Sequence, residues 1–176
     1  MPDRVLVYGV TGSGKTTAAL AIGERTGLPV TLVDELTWLP GWVPVDGDEQ
    51  RRIIAAVVAG DRWVLDSSYG AWLDFVLPRV DLVVGLDYLR WLSLARLVRR
   101  TLSRVTTKEP TCNGNVETWR KVCARDSIIM WHFQSFARKR SRMRAWAASP
   151  DAPEVLLFRR PRDLEAWLAT LGRDDV

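Results

Sequence analysis

The chain has 176 residues, 47% of them hydrophobic and 26% charged, with 25 Lys+Arg against 21 Asp+Glu, two Cys, one His and nine Trp. That length and mixture suit a single soluble domain with a core of its own and exclude a wholly disordered chain. No apolar run reaches the roughly 18–20 residues of a membrane helix, Val5–Val10 is too short for a signal peptide, and two cysteines supply neither a disulfide framework nor a four-ligand zinc site. A reduced, cytoplasmic setting is the expectation.

Short β-branched runs alternate with helical patterns along the chain. Arg4–Tyr8 predicts a strand, Gly14–Arg25 a helix and Val30–Val33 a second strand. Glu35–Gly47, with Pro40, Gly41 and Pro44, predicts a loop. Asp48 can then cap a helix over Glu49–Ala59 that ends at Gly60. Arg62–Leu65 predicts a third strand, Ala71–Leu77 a short helix, Leu82–Leu86 a fourth strand and Trp91–Leu102 a helix. Val105–Asn115 predicts a loop, Val116 to about Ala147 a long helix, Val155–Phe158 a fifth strand and Asp163–Leu171 a closing helix. Such alternation, with nearly all-apolar strands, predicts an α/β fold whose parallel five-stranded sheet is flanked by helices on both faces. The net charge hides an asymmetry. Arg90–Arg144 holds 14 basic and three acidic residues, so it carries +11 while the remainder carries −7. A basic block in an acidic chain calls for an anionic partner, and nucleic acid and nucleotide phosphates both qualify.

Gly9-Val10-Thr11-Gly12-Ser13-Gly14-Lys15-Thr16 fits G-x-x-x-x-G-K-[ST] between the first strand and the first helix. Glycines there let backbone N–H groups turn inward around phosphate oxygens, and the helix N-terminus adds its dipole. Lys15 can reach β/γ-phosphates and the Thr16 hydroxyl can bind Mg²⁺. Gly9, Thr11, Gly12, Ser13, Gly14, Lys15, Thr16 and Thr17 are therefore the nucleotide-contacting candidates. Thr107-Lys108-Glu109-Pro110 lacks the aspartate of a guanine-reading motif, and no serine-glycine signature of a transporter ATPase is present.

The sequence resembles the adenylate-kinase-like P-loop kinases, and among them the small bacterial topology modulation proteins. The residues that carry this are the P-loop, Asp34, Trp38-Leu39-Pro40-Gly41-Trp42, Trp63-Val64-Leu65-Asp66-Ser67-Ser68-Tyr69-Gly70, Asp81-Leu82-Val83-Val84-Gly85-Leu86-Asp87, and Arg96 with Arg100. The resemblance spans nearly the whole chain. It implies a three-layer P-loop NTPase fold, one domain over residues 1–176, with an acceptor-side loop at about 35–48 and a short lid at about 100–120. It also implies that Asp66 holds Mg²⁺ through water, where the alternative is a cap for the turn that follows. Asp34 either aligns an acceptor hydroxyl or caps the loop after it. Trp38 and Trp42 either stack on the acceptor or serve packing. Tyr69 and Gly70 adjoin the acceptor. Gly70 stands where adenylate kinases carry a phosphate-gripping arginine, which argues against an AMP acceptor. Arg51 and Arg52 can replace that arginine or lie on a solvated face.

Arg96 and Arg100, four apart, share a helix face, which the resemblance places at the lid entrance. Arg140 and Arg142 are the preferred phosphate-facing arginines of the late helix, by resemblance. The resemblance also puts Arg160 in the loop that edges the adenine, where the alternative is a surface arginine before the helix N1 proline Pro161. His132 sits in an apolar stretch and is packed or capping, and neither Cys112 nor Cys123 has a recognisable His partner. The expected activity is ATP·Mg²⁺-dependent phosphoryl transfer to a small acceptor, with Lys15, Asp34, Arg100, Arg140 and Arg142 as catalytic candidates. The alternative is a nucleotide-dependent regulator that binds nucleic acid through residues 90–144. No helix-turn-helix, OB or RRM pattern supports it, and neither reading requires a membrane.

Overall fold

The computed structural model describes residues 2–122, 124 and 127–172. Cys123, Arg125 and Asp126 lie outside the described residues. The main sheet is formed by β1 (Arg4–Gly9), β2 (Val30–Thr31), β5 (Trp63–Leu65), β6 (Leu82–Leu86) and β7 (Glu154–Phe158). A two-stranded hairpin, β3 (Trp38–Leu39) with β4 (Val43–Pro44), stands apart from it. The helices are α1 (Lys15–Thr26), α2 (Val33–Thr37), α3 (Gly47–Val58), α4 (Leu73–Val76), α5 (Arg90–Thr107), α6 (Trp119–Val122), α7 (Ile128–Ala148) and α8 (Pro161–Leu168).

The sheet runs β2-β5-β1-β6-β7 and every pairing in it is parallel. Residues alternate between its faces, as a period of two requires. Val5 and Val7 of β1 join Ala18, Ile22, Leu164 and Leu168 in one buried cluster, with α1 and α8. Leu6 and Tyr8 join Ile54, Trp72, Val76 and Met143 in the other, with α3, α4 and α7. The result is three layers. Each fully buried Leu or Ile contributes about 1.5–3 kcal/mol of transfer free energy. The central strand puts its carboxyl end, Gly9, at the top of the sheet between β5 and β6. That is where open α/β sheets bind ligands.

The structure corrects several sequence expectations. The second strand stops at Thr31 because α2 begins at Val33, whose N–H donates to the Asp66 carboxylate (2.9 Å). The expected loop over 35–47 holds the end of α2 and the β3–β4 hairpin, turned by Gly41 and Trp42 at φ 82° and 61°. Asp46, not Asp48, caps α3 by accepting from the N–H groups of Asp48 and Glu49. Helix α5 continues to Thr107 and ends at Lys108, whose φ is 52°. The single helix expected from Val116 is instead α6 and α7, with Ser127 as a fresh N-cap accepting from Met130. Val116 and Glu117 are used otherwise: the Val116 carbonyl accepts from the Trp42 indole, and Glu117 meets Arg104.

Candidate functional site

The P-loop is a tight turn held from within. Ser13 donates from both its N–H and its hydroxyl to the Val10 carbonyl, at 3.2 and 2.8 Å. Gly12 (φ 80°) lies so close to α5 that a Cβ would fall 2.4 Å from the Ser93 carbonyl oxygen and 2.8 Å from Leu97 Cβ. Gly14 (φ 95°) is the N-cap of α1. Both positions need the left-handed conformation that glycine adopts without steric cost. Lys15 is half-buried and donates to the Val10 carbonyl (3.2 Å). Burial lowers its pKa, while Asp34 and Asp66 push it back up. Thr16 and Thr17 are exposed at the mouth of the loop.

Asp66 follows β5 directly and is buried. Its Oδ2 accepts from the Thr16 hydroxyl (2.7 Å) and its Oδ1 from the Val33 N–H. Burial raises its pKa, and those two hydrogen bonds act against the rise. A threonine hydroxyl and a carboxylate side by side are hard oxygen donors of the kind Mg²⁺ takes when phosphates complete its shell. No cluster of three or more His, Cys, Asp or Glu side chains suited to a metal occurs among the described residues. The donor set therefore fits a magnesium ion carried in with a nucleotide.

Asp34 is exposed in the first turn of α2, not at the end of a strand. Its Oδ1 accepts from the Tyr69 hydroxyl at 2.6 Å, and that hydroxyl lies 3.5 Å from Thr37 Oγ1. Burial, then Asp34, raises the pKa of Tyr69, so the phenol stays protonated and acts as the donor. Trp38 and Trp42 meet edge to face with centroids 6.0 Å apart. Trp42 is committed to packing: its N–H donates to Asn115 Oδ1 (2.7 Å) and its indole N–H to the Val116 carbonyl.

Sequence reasoning missed what holds that wall in place. Residues 111–116 dock on α2 and the hairpin. Cys112 Sγ donates to the Asp34 carbonyl, Asn113 Nδ2 to the carbonyls of Glu35 and Trp38, and Asn115 Nδ2 to that of Leu39. Residues 111–116, α2 and the β3–β4 hairpin are thus tied together.

The basic residues divide sharply. Arg96 lies against the P-loop, its Nη1 3.8 Å from where a Cβ on Gly14 would be. Arg100 keeps an exposed edge, yet burial around it, then Arg104, lowers its pKa, while Glu117 and Asp34 act in the opposite direction. Arg140 turns to a buried carboxylate. It pairs with Asp87 (2.6 Å), as Arg144 does (2.7 Å), and Asp87 is fully buried. Arg142 instead reaches the Tyr8 hydroxyl (3.5 Å), with its Nη1 3.6 Å from where a Cβ on Gly70 would be. Arg160 is an exposed N-cap residue of α8, with Pro161 in the first turn. Arg51 and Arg52 are spent on Asp74 and Glu49 rather than on an acceptor. His132 is buried, with Nε2 2.9 Å from Ser93 Oγ, which ties α7 to α5 behind Gly12.

One residue the sequence reading did not single out is Lys139, buried on α7 beside Tyr8. Its signal is helical spacing. His132, Ser135, Phe136, Lys139 and Met143 form the buried stripe of α7, so a lysine falls where a core residue belongs.

No family model matches the chain, and no curated protein matches it. Solved structures do. The chain is similar to a gluconokinase from Sinorhizobium meliloti 1021 (TM-score 0.54, 18% identity, over 98% of this chain and 95% of that one). It is similar to a shikimate kinase from Bacteroides thetaiotaomicron (TM-score 0.56, 14% identity, 95% and 94%) and to a deoxyadenosine kinase from M. mycoides with bound dCTP (0.53, 8%, 94% and 96%). The fold is the one these P-loop kinases share. No helix among the described residues is long and apolar enough to cross a membrane.

Proposed function

We propose that the protein is a phosphotransferase that moves the γ-phosphoryl of MgATP to a hydroxyl of a small acceptor. The observation that carries this reading is the grouping of Lys15 with the Thr16–Asp66 and Asp34–Tyr69 pairs, both carboxylates lying close enough to act on the Lys15 charge. The P-loop backbone and Lys15 cradle the triphosphate, and Thr16 and Asp66 hold Mg²⁺, which neutralises phosphate charge when bound. Arg96 and Arg100 flank the nucleotide. Tyr69 fixes one carboxylate oxygen of Asp34 and leaves Oδ2 to receive the acceptor hydroxyl. As the acceptor oxygen bonds to the γ-phosphorus, the bond to the β,γ-bridging oxygen breaks, ADP leaves, and Asp34 takes the hydroxyl proton. Positioning and charge neutralisation supply most of the acceleration.

The kinase names of the structural neighbours support this reading at the level of fold. The narrower likeness to topology modulation proteins, carried by W-x-P-G-W at Trp38–Trp42 and D-x-x-Y-G at Asp66–Gly70, belongs to the same proposal. The alternative is nucleic-acid binding through residues 90–144, of whose 14 basic residues Arg104, Arg140 and Arg144 are paired with acids. The test is Asp34→Asn. ATP affinity should stay within about twofold while transfer falls by roughly 10²–10⁴, the span of a lost general base. Full turnover in that variant would reduce Asp34 to a structural cap.

A further inference from the structure

Away from the P-loop, the first turn of α5 and one face of α7 border an open groove of about 580 Å³. Arg90, Arg140 and Arg144 line it. Ala137, Ser141 and Ala145, spaced four apart on α7, line it with small side chains, which leaves the concavity between the guanidinium groups.

The charge there does not balance. Asp87, fully buried, accepts from Arg140 Nε (2.6 Å) and Arg144 Nε (2.8 Å). No acid lines the groove itself, so three arginines against one carboxylate leave it at +2. Arg90 is half-buried and enters no ion pair among the described residues. Its guanidinium lies 4.6 Å from the centre of the Phe136 ring, and that of Arg140 lies 5.7 Å from the same ring. Arg90 also opens α5, whose first turn holds no acidic residue and whose N-cap, Leu89, offers no side-chain acceptor. That is the positive end of the helix dipole, where a cation is disfavoured and an anion is favoured. The arginine cluster and the uncompensated helix start thus share one deficit of negative charge.

The size of that deficit selects the ligand. A phosphate monoester carries about −1.5 to −2 at pH 7, whereas a carboxylate or a backbone diester carries a single charge. Arginine forks take phosphate oxygens in pairs. The groove is also separate from the cleft of the proposed transfer. Asp87 follows β6 and donates its N–H to the Phe158 carbonyl of β7, while Asp34 and Asp66 lie on the β2–β5 side of β1. No P-loop residue lines the groove.

We propose that Arg90, Arg140 and Arg144 form a second anion site, which binds the phosphate group of a small phosphomonoester in this groove.

The test is calorimetric titration of the full chain saturated with MgADP, so that the P-loop is filled. The probes are inorganic phosphate and glycerol 3-phosphate, set against acetate, dimethyl phosphate and a short DNA duplex. The two doubly charged probes should bind roughly 10–100-fold more tightly than acetate or dimethyl phosphate. Arg90→Met, which keeps an apolar side chain against Phe136, should remove most of that affinity, and Arg90→Lys should keep part of it. Ser141→Glu, at an exposed position, puts a carboxylate into the groove and should abolish phosphate binding. Arg142→Met, beside Tyr8, should leave it intact. Absence of phosphate binding, equal binding of all the small anions, or binding that survives either Arg90→Met or Ser141→Glu overturns the site. Loss of binding in Arg142→Met, or a duplex that displaces phosphate at lower concentration than glycerol 3-phosphate does, overturns it as well.

Discussion

Gly12→Ala tests how the phosphate loop is seated. Two costs add. The φ of 80° places alanine in the left-handed region, at about 1–2 kcal/mol. The new methyl meets the Ser93 carbonyl at 2.4 Å and Leu97 Cβ at 2.8 Å, both on the rigid frame of α5. Overpacking of that kind costs about 1–3 kcal/mol. For a chain of this size each kcal/mol lowers Tm by about 2–4 °C, so a drop of roughly 4–20 °C is expected. Gly14→Ala is the control. Its φ is 95°, but the nearest atom to its Cβ would be Arg96 Nη1 at 3.8 Å, the end of a flexible side chain. Only the backbone cost applies, and Tm should fall by roughly 2–8 °C. Thermal unfolding by circular dichroism compares the two. If Gly12→Ala melts at or above Gly14→Ala, the loop is not seated against α5 as described.

Three further outcomes are expected. Lys15→Ala should weaken MgATP binding by more than about tenfold in calorimetry, because it removes the cation that reaches the β/γ-phosphates; unchanged affinity would undo the P-loop assignment. Arg140→Ala should lower stability by about 1–3 kcal/mol in urea titration, since Asp87 stays buried with one partner fewer, and should leave ATP affinity within about twofold; a sharp loss of affinity with stability intact would return Arg140 to the phosphates. Burial lowers the pKa of Lys139 from 10.5 to about 7. Between those values the unfolded chain binds the extra proton, so this residue makes stability rise with pH, by up to about 1.4 kcal/mol per unit. Lys139→Met should flatten that rise in denaturation curves taken from about pH 7 to about pH 9, and an unchanged slope would place the ammonium in solvent.

What was legible in the sequence is what local pattern determines. Val5–Tyr8 and Leu82–Leu86 read as buried parallel strands because continuous apolar runs admit few other environments. The P-loop read as one because its glycines and Lys15 follow such a strand. What was not legible depends on partners far along the chain. Arg140 and Arg142 look equivalent in sequence. Only the fold brings Asp87, 53 residues away, onto one of them. The Trp38–Pro44 hairpin has two-residue strands, too short to show a period of two, and it is held by Asn113 and Asn115, some 75 residues on. Uniformly β-branched or apolar, Val30–Val33 predicts a strand that ends at Asp34. The Asp66 carboxylate, by accepting from the Val33 N–H, starts a helix there instead.

The docking of residues 111–116 onto the hairpin has a kinetic consequence. Asn113, Asn115 and Cys112 bond to the backbone of residues 34–39, so an acceptor cannot displace the hairpin without dragging along the segment that leads from α5. Arg96 and Arg100 lie on that same helix, Arg96 against Gly14 of the P-loop. On the phosphotransferase reading proposed above, entry of one substrate should therefore perturb the seat of the other, and by linkage the two affinities should change reciprocally. Trp38 and Trp42 sit inside this shared body. Their fluorescence should respond to MgATP as well as to the acceptor, which makes the order of addition readable in a stopped-flow trace without any attached dye.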